Sequence, residues 1–384
     1  MALHFEQDEY DSRLQRVRTK MKERNIDALL LFAQESMYWL TGYDTFGFCF
    51  FQCMIVMRDG RIVLLTRAPD LRQARHTSIV EDIRIWVDHG SASPAGQLKD
   101  VLFDLDLLGS KLGVEFDTHG LTGKDGRQVD EQLRRFADFD DASDIILELR
   151  AVKSAAEIVY IRKAAELGDA AYEAGLQKIK PGADEGAILA AMQGTIFEGG
   201  GDYPGNEFII GSGRDALLCR YKSGRRALSP VDQITLEFAG VYRHYHAALM
   251  RTVIIGKPTP RHEEMHEAAR EALTSVEDAM RPGNTFGDVF EAHAAVMDER
   301  GLLAHRLNAC GYSLGTRFTP SWMDWPMFYR GNGAKIVPDM SLFAHMILMD
   351  SEQDIAVTLG RTYLTTDDAP EPLSRLDLEL PVVN

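Results

Sequence analysis

Glu237 lies in "TLEFAGVYRHYHAALMRT", residues 235–252, which reads as a strand, a tight turn and a returning strand that ends on a basic residue. Its flanks are apolar, so the strand either turns the carboxylate to solvent or buries it, and burial is costly unless the group has a partner or a task. His345 raises the same question in "SLFAHMILM". It is either a satisfied core histidine or an imidazole that can move a proton near neutral pH. A carboxylate and an imidazole on one cleft could ion-pair a cationic ligand, attack an electrophilic carbon or activate water. Arg220, Arg251 and Arg317 offer guanidinium groups, whose planar fork suits a carboxylate partner. Arg251 reads equally well as a clamp between strand and helix. Two aromatic stretches could line a pocket for a cation. "WMDWPMFY" supplies Trp322, Trp325, Phe328 and Tyr329, and "SMYWLTGYDTFGF" supplies Tyr38, Trp39, Tyr43 and Phe46. The loop with Trp322 and Trp325 could instead be a dimer contact.

Composition narrows the partners. With 384 residues the expectation is two domains, and a formal net charge of −16 argues against a surface that tracks nucleic-acid phosphates. No apolar run approaches the roughly 20 residues needed to span a bilayer. "MALHFEQDEY" lacks the order of a secretory signal, so the expected location is cytoplasmic. Cys49, Cys53, Cys219 and Cys310 show no paired metal-ligand spacing, and "GFCFFQCMIV" reads as core.

These residues need elements to position them. Residues 1–150 alternate helical and strand patterns, with a hairpin turning at Asp59-Gly60, which predicts an α/β domain. Ser154 and Glu157 then stand in capping-box positions at the head of a long helix stopped by Pro181-Gly182, a suitable boundary. In residues 151–384 the order helix, basic-Pro-Gly break, helix, strands occurs twice, with Pro181 and Pro282 in equivalent places. One duplicated unit with pseudo-twofold symmetry is predicted, its site in the cleft between the halves. The acidic, Pro-containing tail "DDAPEPLSRLDLELPVVN" reads as an arm along the surface.

The second domain resembles the pita-bread family of creatinase, prolidase, aminopeptidase P and methionine aminopeptidase, and the first resembles the N-terminal domain of the creatinase and prolidase branch. "LRAVKSAAEIVYIRKAAE", "FIIGSGRDA" and "VTLGRTYLT" carry the likeness. The fold implied is an α/β N-terminal domain plus an α+β pita-bread domain. Metal-dependent members hold two ions with two Asp, one His and two Glu. Carried over residue by residue, those positions fall on Glu237, Ala248, Tyr312, His345 and Glu352. Alanine offers no donor atom and neutral tyrosine is a poor ligand, so too few donors remain for two divalent ions. A histidine that serves the reaction in many members falls on Arg220, in "CRYKSGRR".

The resemblance therefore implies a hydrolase with no metal or other cofactor, acting on a small zwitterion that carries a cyclic amidinium. Such a carbon is polarised by its own charge, and a bound metal ion would repel it. Glu237 is expected to pair with the ring or to attack it, Glu352 to activate water, and His345 to pass a proton to the departing nitrogen. Tyr312 either orients one of these or fills vacated space. In related dimers the segment with Tyr38, Tyr43 and Phe46 approaches the partner's cleft, so a homodimer with shared sites is implied. The alternatives are an amidinohydrolase for a creatine-like substrate, a metal-dependent Xaa-Pro peptidase, a dimethylsulfoniopropionate lyase, or a binding protein that has lost catalysis.

Overall fold

The computed structural model describes residues 3–220 and 224–384. The chain forms two compact units, residues 1–150 and 151–384.

The first unit is α/β. Its strands are β1 (Ala28–Leu31), β2 (Cys53–Met57), β3 (Ile62–Arg67), β4 (Asp82–Trp86), β5 (Lys111–Val114) and β6 (Asp138–Asp141), in the spatial order β4-β3-β2-β1-β5-β6. The pairs β1–β2 and β2–β3 are antiparallel and the other three are parallel. Six helices accompany them: α1 (Gln7–Glu23), α2 (Gln34–Thr41), α3 (Leu71–Thr77), α4 (Pro94–Asp104), α5 (Gly123–Leu133) and α6 (Ser143–Ala151). The β2–β3 hairpin turns at Gly60, whose φ of +101° suits a residue without a side chain. Glu115, just past β5, is buried and accepts hydrogen bonds from Phe32 N, Ala33 N and Ser36 Oγ. The carboxylate thus satisfies backbone donors at the start of α2 and locks β1 to that helix.

This packing corrects one part of the sequence reading. Tyr38 and Tyr43 are fully buried in the first unit, where a ligand cannot reach them. The Tyr38 hydroxyl meets His4 Nδ1 at 2.7 Å, and Tyr43 Oη donates to Gln52 Oε1. Phe46, by contrast, is 81% exposed.

The second unit holds α7 (Ala155–Leu176), α8 (Glu185–Glu198), β7 (Ile209–Ser212), β8 (Asp232–Tyr242) and β9 (Tyr245–Ile255). The same order then recurs: α9 (Pro260–Ala279), α10 (Phe286–Glu299), β10 (Ala309–Ser313), β11 (Asp324–Tyr329), β12 (Ser341–Asp350) and β13 (Ile355–Leu364). The strands pair as β11-β10-β12-β13-β9-β8-β7, so the two copies join along β13–β9 in one antiparallel sheet. The predicted capping box opens α7: Ser154 Oγ accepts from Glu157 N and the Glu157 carboxylate accepts from Ser154 N. The tail is an arm along the surface, and it is pinned. β14 (Glu371–Pro372) pairs with β13, β15 (Val382–Val383) pairs with β9, and buried Asp169 of α7 accepts from Ser374 Oγ and Arg375 N.

Strand alternation decides what each face of this sheet carries. On β8 the even positions meet α7: a Cβ added at Gly240 would lie 1.9 Å from Ala164 O, so only glycine lets helix and strand approach so closely. Phe238 stacks on Tyr172 of α7 on the same side. On β12, Leu342, Ala344, Met346 and Leu348 join the core built around α9 and α10. The odd positions of β8 and β12 therefore face away from the helices, and Glu237 and His345 are both odd.

Candidate active site

One ladder rung crosses five strands on that open face. His345 pairs with Gly360, Gly360 with Met250, Met250 with Glu237, and Glu237 with Ile209. Residues opposite one another in an antiparallel pair point to the same side. Glu237 and His345 therefore share a face, three strand spacings apart, about 14 Å between backbones in a flat sheet. The neighbouring positions are Tyr312 opposite Phe343 and Ala239 opposite Ala248. Thr362, on the same face, bonds to Ala248 O. Everything between the carboxylate and the imidazole is small or apolar.

Each polar group on this face is perturbed by burial. Glu237 is 7% exposed, and desolvation pushes its carboxyl up to about 7, opposed by the charge of Arg220. Among the described residues no hydrogen-bond donor reaches its oxygens. His345 is equally buried; desolvation pulls its imidazole down to about 3, aided by the charges of His293 and Arg220, and its Nδ1 has no hydrogen-bond partner among the described residues. Tyr312 lies on β10 with its ring 5.7 Å from that of His345. Burial and then the Glu237 charge push its hydroxyl well above the usual range, so it stays protonated. Arg220, exposed and following the short helical turn after β7, is the cation whose charge reaches Glu237, Tyr312 and His345 alike.

An aromatic bracket holds Tyr312. Trp322, 1% exposed, donates its indole Nε1–H to Tyr312 Oη at 2.9 Å. Its own backbone N–H donates to Asn206 Oδ1, and its indole lies 6.4 Å from the ring of His246. His246 is fully buried and held neutral, with burial pulling it down to about 3. Its Nε2 accepts from Gly205 N while Nδ1 meets Gly315 O, which fixes the tautomer. Sequence reasoning missed His246 and Asn206. The "YHA" alternation around His246 does carry a signal, since it puts that ring on the face of Ala248 and Met250.

Other expected site residues go elsewhere. Arg251 pairs with Leu236 and so points to the helix face, where it is 2% exposed and donates to Met250 O, Gly360 O and Asp377 O. It is a clamp on the far side of the sheet from Glu237. Arg317 donates to Ser321 O and lies 3.6 Å from the Asp324 carboxylate, which anchors the loop that bears Trp322. Trp325, on edge strand β11, is 38% exposed. Glu352 lies in the exposed β12–β13 turn, beyond Asp350, and cannot share the rung of His345. The residue that does so is Gly360. Tyr221, Lys222 and Ser223 of the "CRYKSGRR" stretch lie outside the described residues.

The donor set does not fit a pair of metal ions. Ala248 and Gly360 offer no side-chain donor, Tyr312 is a protonated phenol whose oxygen is already engaged, and Glu237 and His345 are separated by Met250 and Gly360. Among the described residues no group of three or more His, Cys, Asp or Glu could hold a metal. No helix among them is long and apolar enough to cross a membrane.

Comparison with known proteins agrees with this architecture. The family model for metallopeptidase family M24 matches residues 159–367, and that for the creatinase/prolidase N-terminal domain matches residues 13–152. Ectoine hydrolase from Halomonas elongata is 28% identical over 99% of this chain and 98% of its own length. The uncharacterized hydrolase/peptidase y4tM from Sinorhizobium fredii is 26% identical over 99% of both chains. Among solved structures, the prolidase from Thermococcus sibiricus superposes with a TM-score of 0.87 at 19% identity, covering 97% of this chain and 99% of its own.

Proposed function

The chain belongs to metallopeptidase family M24, joined to a creatinase/prolidase N-terminal domain, and from that membership we propose that it hydrolyses a carbon–nitrogen bond of the cyclic amidine ectoine, giving an N-acetyl-2,4-diaminobutyrate without a metal ion. The observation that carries this reading is the buried carboxylate of Glu237, which no donor among the described residues reaches, on a face where Ala248 and Gly360 supply nothing to a metal. A full-length likeness to an ectoine hydrolase supports the choice of substrate.

The residues suit the reaction. A bound amidinium sets a positive charge beside Glu237, which favours the carboxylate form and drives off its proton. The carboxylate then pairs with the ring while water adds to the amidinium carbon, or it adds to that carbon itself, a ring carbon–nitrogen bond breaks to leave an acyl imidate on Glu237, and water attacks the imidate carbon and releases the carboxylate. In both routes the oxygen from water ends in the acetyl carbonyl, one ring carbon–nitrogen bond breaks, and the departing nitrogen takes a proton. His345, held neutral by burial, does not bring that proton as an imidazolium. It gains basicity only when the substrate carboxylate is bound, and Arg220 completes the surroundings of the zwitterion. A homodimer, with Phe46 of one subunit near the other's site, is part of the proposal.

The test is direct. The purified protein, its metal content measured, is incubated with ectoine, hydroxyectoine, creatine and an Xaa-Pro dipeptide, and products are followed by NMR. Ring opening of ectoine that persists after chelation is expected. Dipeptide cleavage restored by manganese would replace the reading with the peptidase alternative.

A further inference from the structure

Glu237 and His345 are each 7% exposed, so a six-membered ring cannot reach either group unless part of the chain moves. The segment after β7 lies across their face of the sheet as a strap: a short helical turn, Gly213–Leu217, that runs on to Cys219 and Arg220. Its base is fastened. Gln233 Nε2 donates to Gly213 O and to Asp354 O in the β12–β13 turn, and Arg214 pairs with the Asp354 carboxylate at 3.1 Å. Gly213 takes the left-handed φ of +58° where the chain turns out of β7. In the middle of the strap, Ala216 O accepts from Thr235 Oγ1 at 3.2 Å, two residues before Glu237 on the same side of β8. At the tip, Cys219 Sγ meets Met349 Sδ at 3.8 Å, four residues after His345 on the same side of β12. The strap therefore runs from the strand of Glu237 to the strand of His345. Its attachments weaken along the way, from hydrogen bonds and an ion pair at the base to a sulfur contact at the tip.

We propose that the Cys219–Met349 contact is a latch: it holds the strap shut over Glu237 and His345, and release of the tip, pivoting about the fastened base, admits the substrate. Arg220 is the next residue along the chain, so each closure returns its guanidinium to the site. Met349 is thereby a positioning residue for Arg220. Both sulfurs are uncharged and polarisable, so the latch parts and reforms without moving a proton or a charge. The inference deepens the function proposed above, and it rests on that reading only for the task of Arg220, not for the closure itself.

The closure is tested without substrate. Access to Glu237 is timed by its reaction with a water-soluble carbodiimide and an amine, read by peptide mass spectrometry, in wild type, Met349→Ala and Met349→Cys. Met349→Ala is expected to speed the labelling by on the order of fivefold to tenfold, the scale on which loss of one weak contact shifts an open–closed population. In Met349→Cys a short bis-methanethiosulfonate reagent is expected to join Cys219 to the introduced thiol and to stop the labelling, and a reductant to restore it. Labelling that continues in the cross-linked protein, a cross-link that does not form, or a rate that Met349→Ala leaves unchanged overturns the inference. Should Met349→Ala not fold, the cross-linked and reduced forms of Met349→Cys decide it. In turnover, Met349→Ala should raise KM for ectoine about fivefold and change kcat by less than about twofold, because Arg220 binds and does not react; a fall in kcat at unchanged KM removes Met349 as a positioning residue. If ectoine is not turned over but the labelling behaves as expected, the substrate assignment fails and the latch stands.

Discussion

At Glu237 the requirements of folding and of chemistry oppose each other. Burial lifts its carboxyl from an ordinary value to about 7, so the folded state holds a proton that the unfolded chain would release. The stabilising contribution is present below the unfolded value of about 4.5 and is lost as pH rises through 7. Glu237→Gln should therefore be the more stable protein at pH 8, by on the order of 3 kcal/mol, and nearly equal to wild type at pH 5; chemical denaturation at the two pH values measures this. The same substitution should lower kcat/KM for ectoine by about a thousandfold. Because the cation needs the carboxylate form, kcat/KM of wild type should fall tenfold per unit below about pH 7, whereas a flat acid limb would remove Glu237 from binding.

At the level of elements, the rungs of the second sheet decide which side chains can meet. Arg251 and Glu237 stand on neighbouring strands and opposite faces, the arginine holding three backbone carbonyls under the helices. Arg251→Met should cost about 3 kcal/mol through carbonyls left without donors, read as a lower denaturation midpoint, while KM for ectoine stays within twofold. The capping box of α7, the Gly60 hairpin, the repeated helix pairs and the candidacy of Glu237 and His345 were legible in the sequence because each rests on local chemistry or on alternation within one strand. The fates of Glu352 and Tyr43 were not legible, and for Arg251 the sequence left ligand contact and clamp equally open. They depend on where a hairpin turns, on which face helices cover, and on the depth of a core, all of which are set by contacts between residues far apart in the chain. The partnership of Trp322 with Tyr312 is of the same kind, since the loop that brings them together is held from Asn206 and His246.

For the whole molecule, the metal-free reading proposed for the site has a consequence for stability. Holo-proteins gain free energy from a bound ion in proportion to the logarithm of its concentration over the dissociation constant. Here the melting temperature should not move when manganese, zinc or a chelator is added, and differential scanning calorimetry would show it. A rise of several degrees with manganese would reveal a site that the described residues do not form. Gly360 leaves no room for a side chain on the rung of His345. A Cβ there would lie 2.8 Å from Ala344 O, 3.0 Å from Phe343 Cε2 and 3.1 Å from His345 Cα. Any side chain placed at that rung would first demand that the aromatic ring and the neighbouring strand retreat. A single substitution at Gly360 is therefore expected to disturb the sheet before a new side chain could offer anything to a ligand.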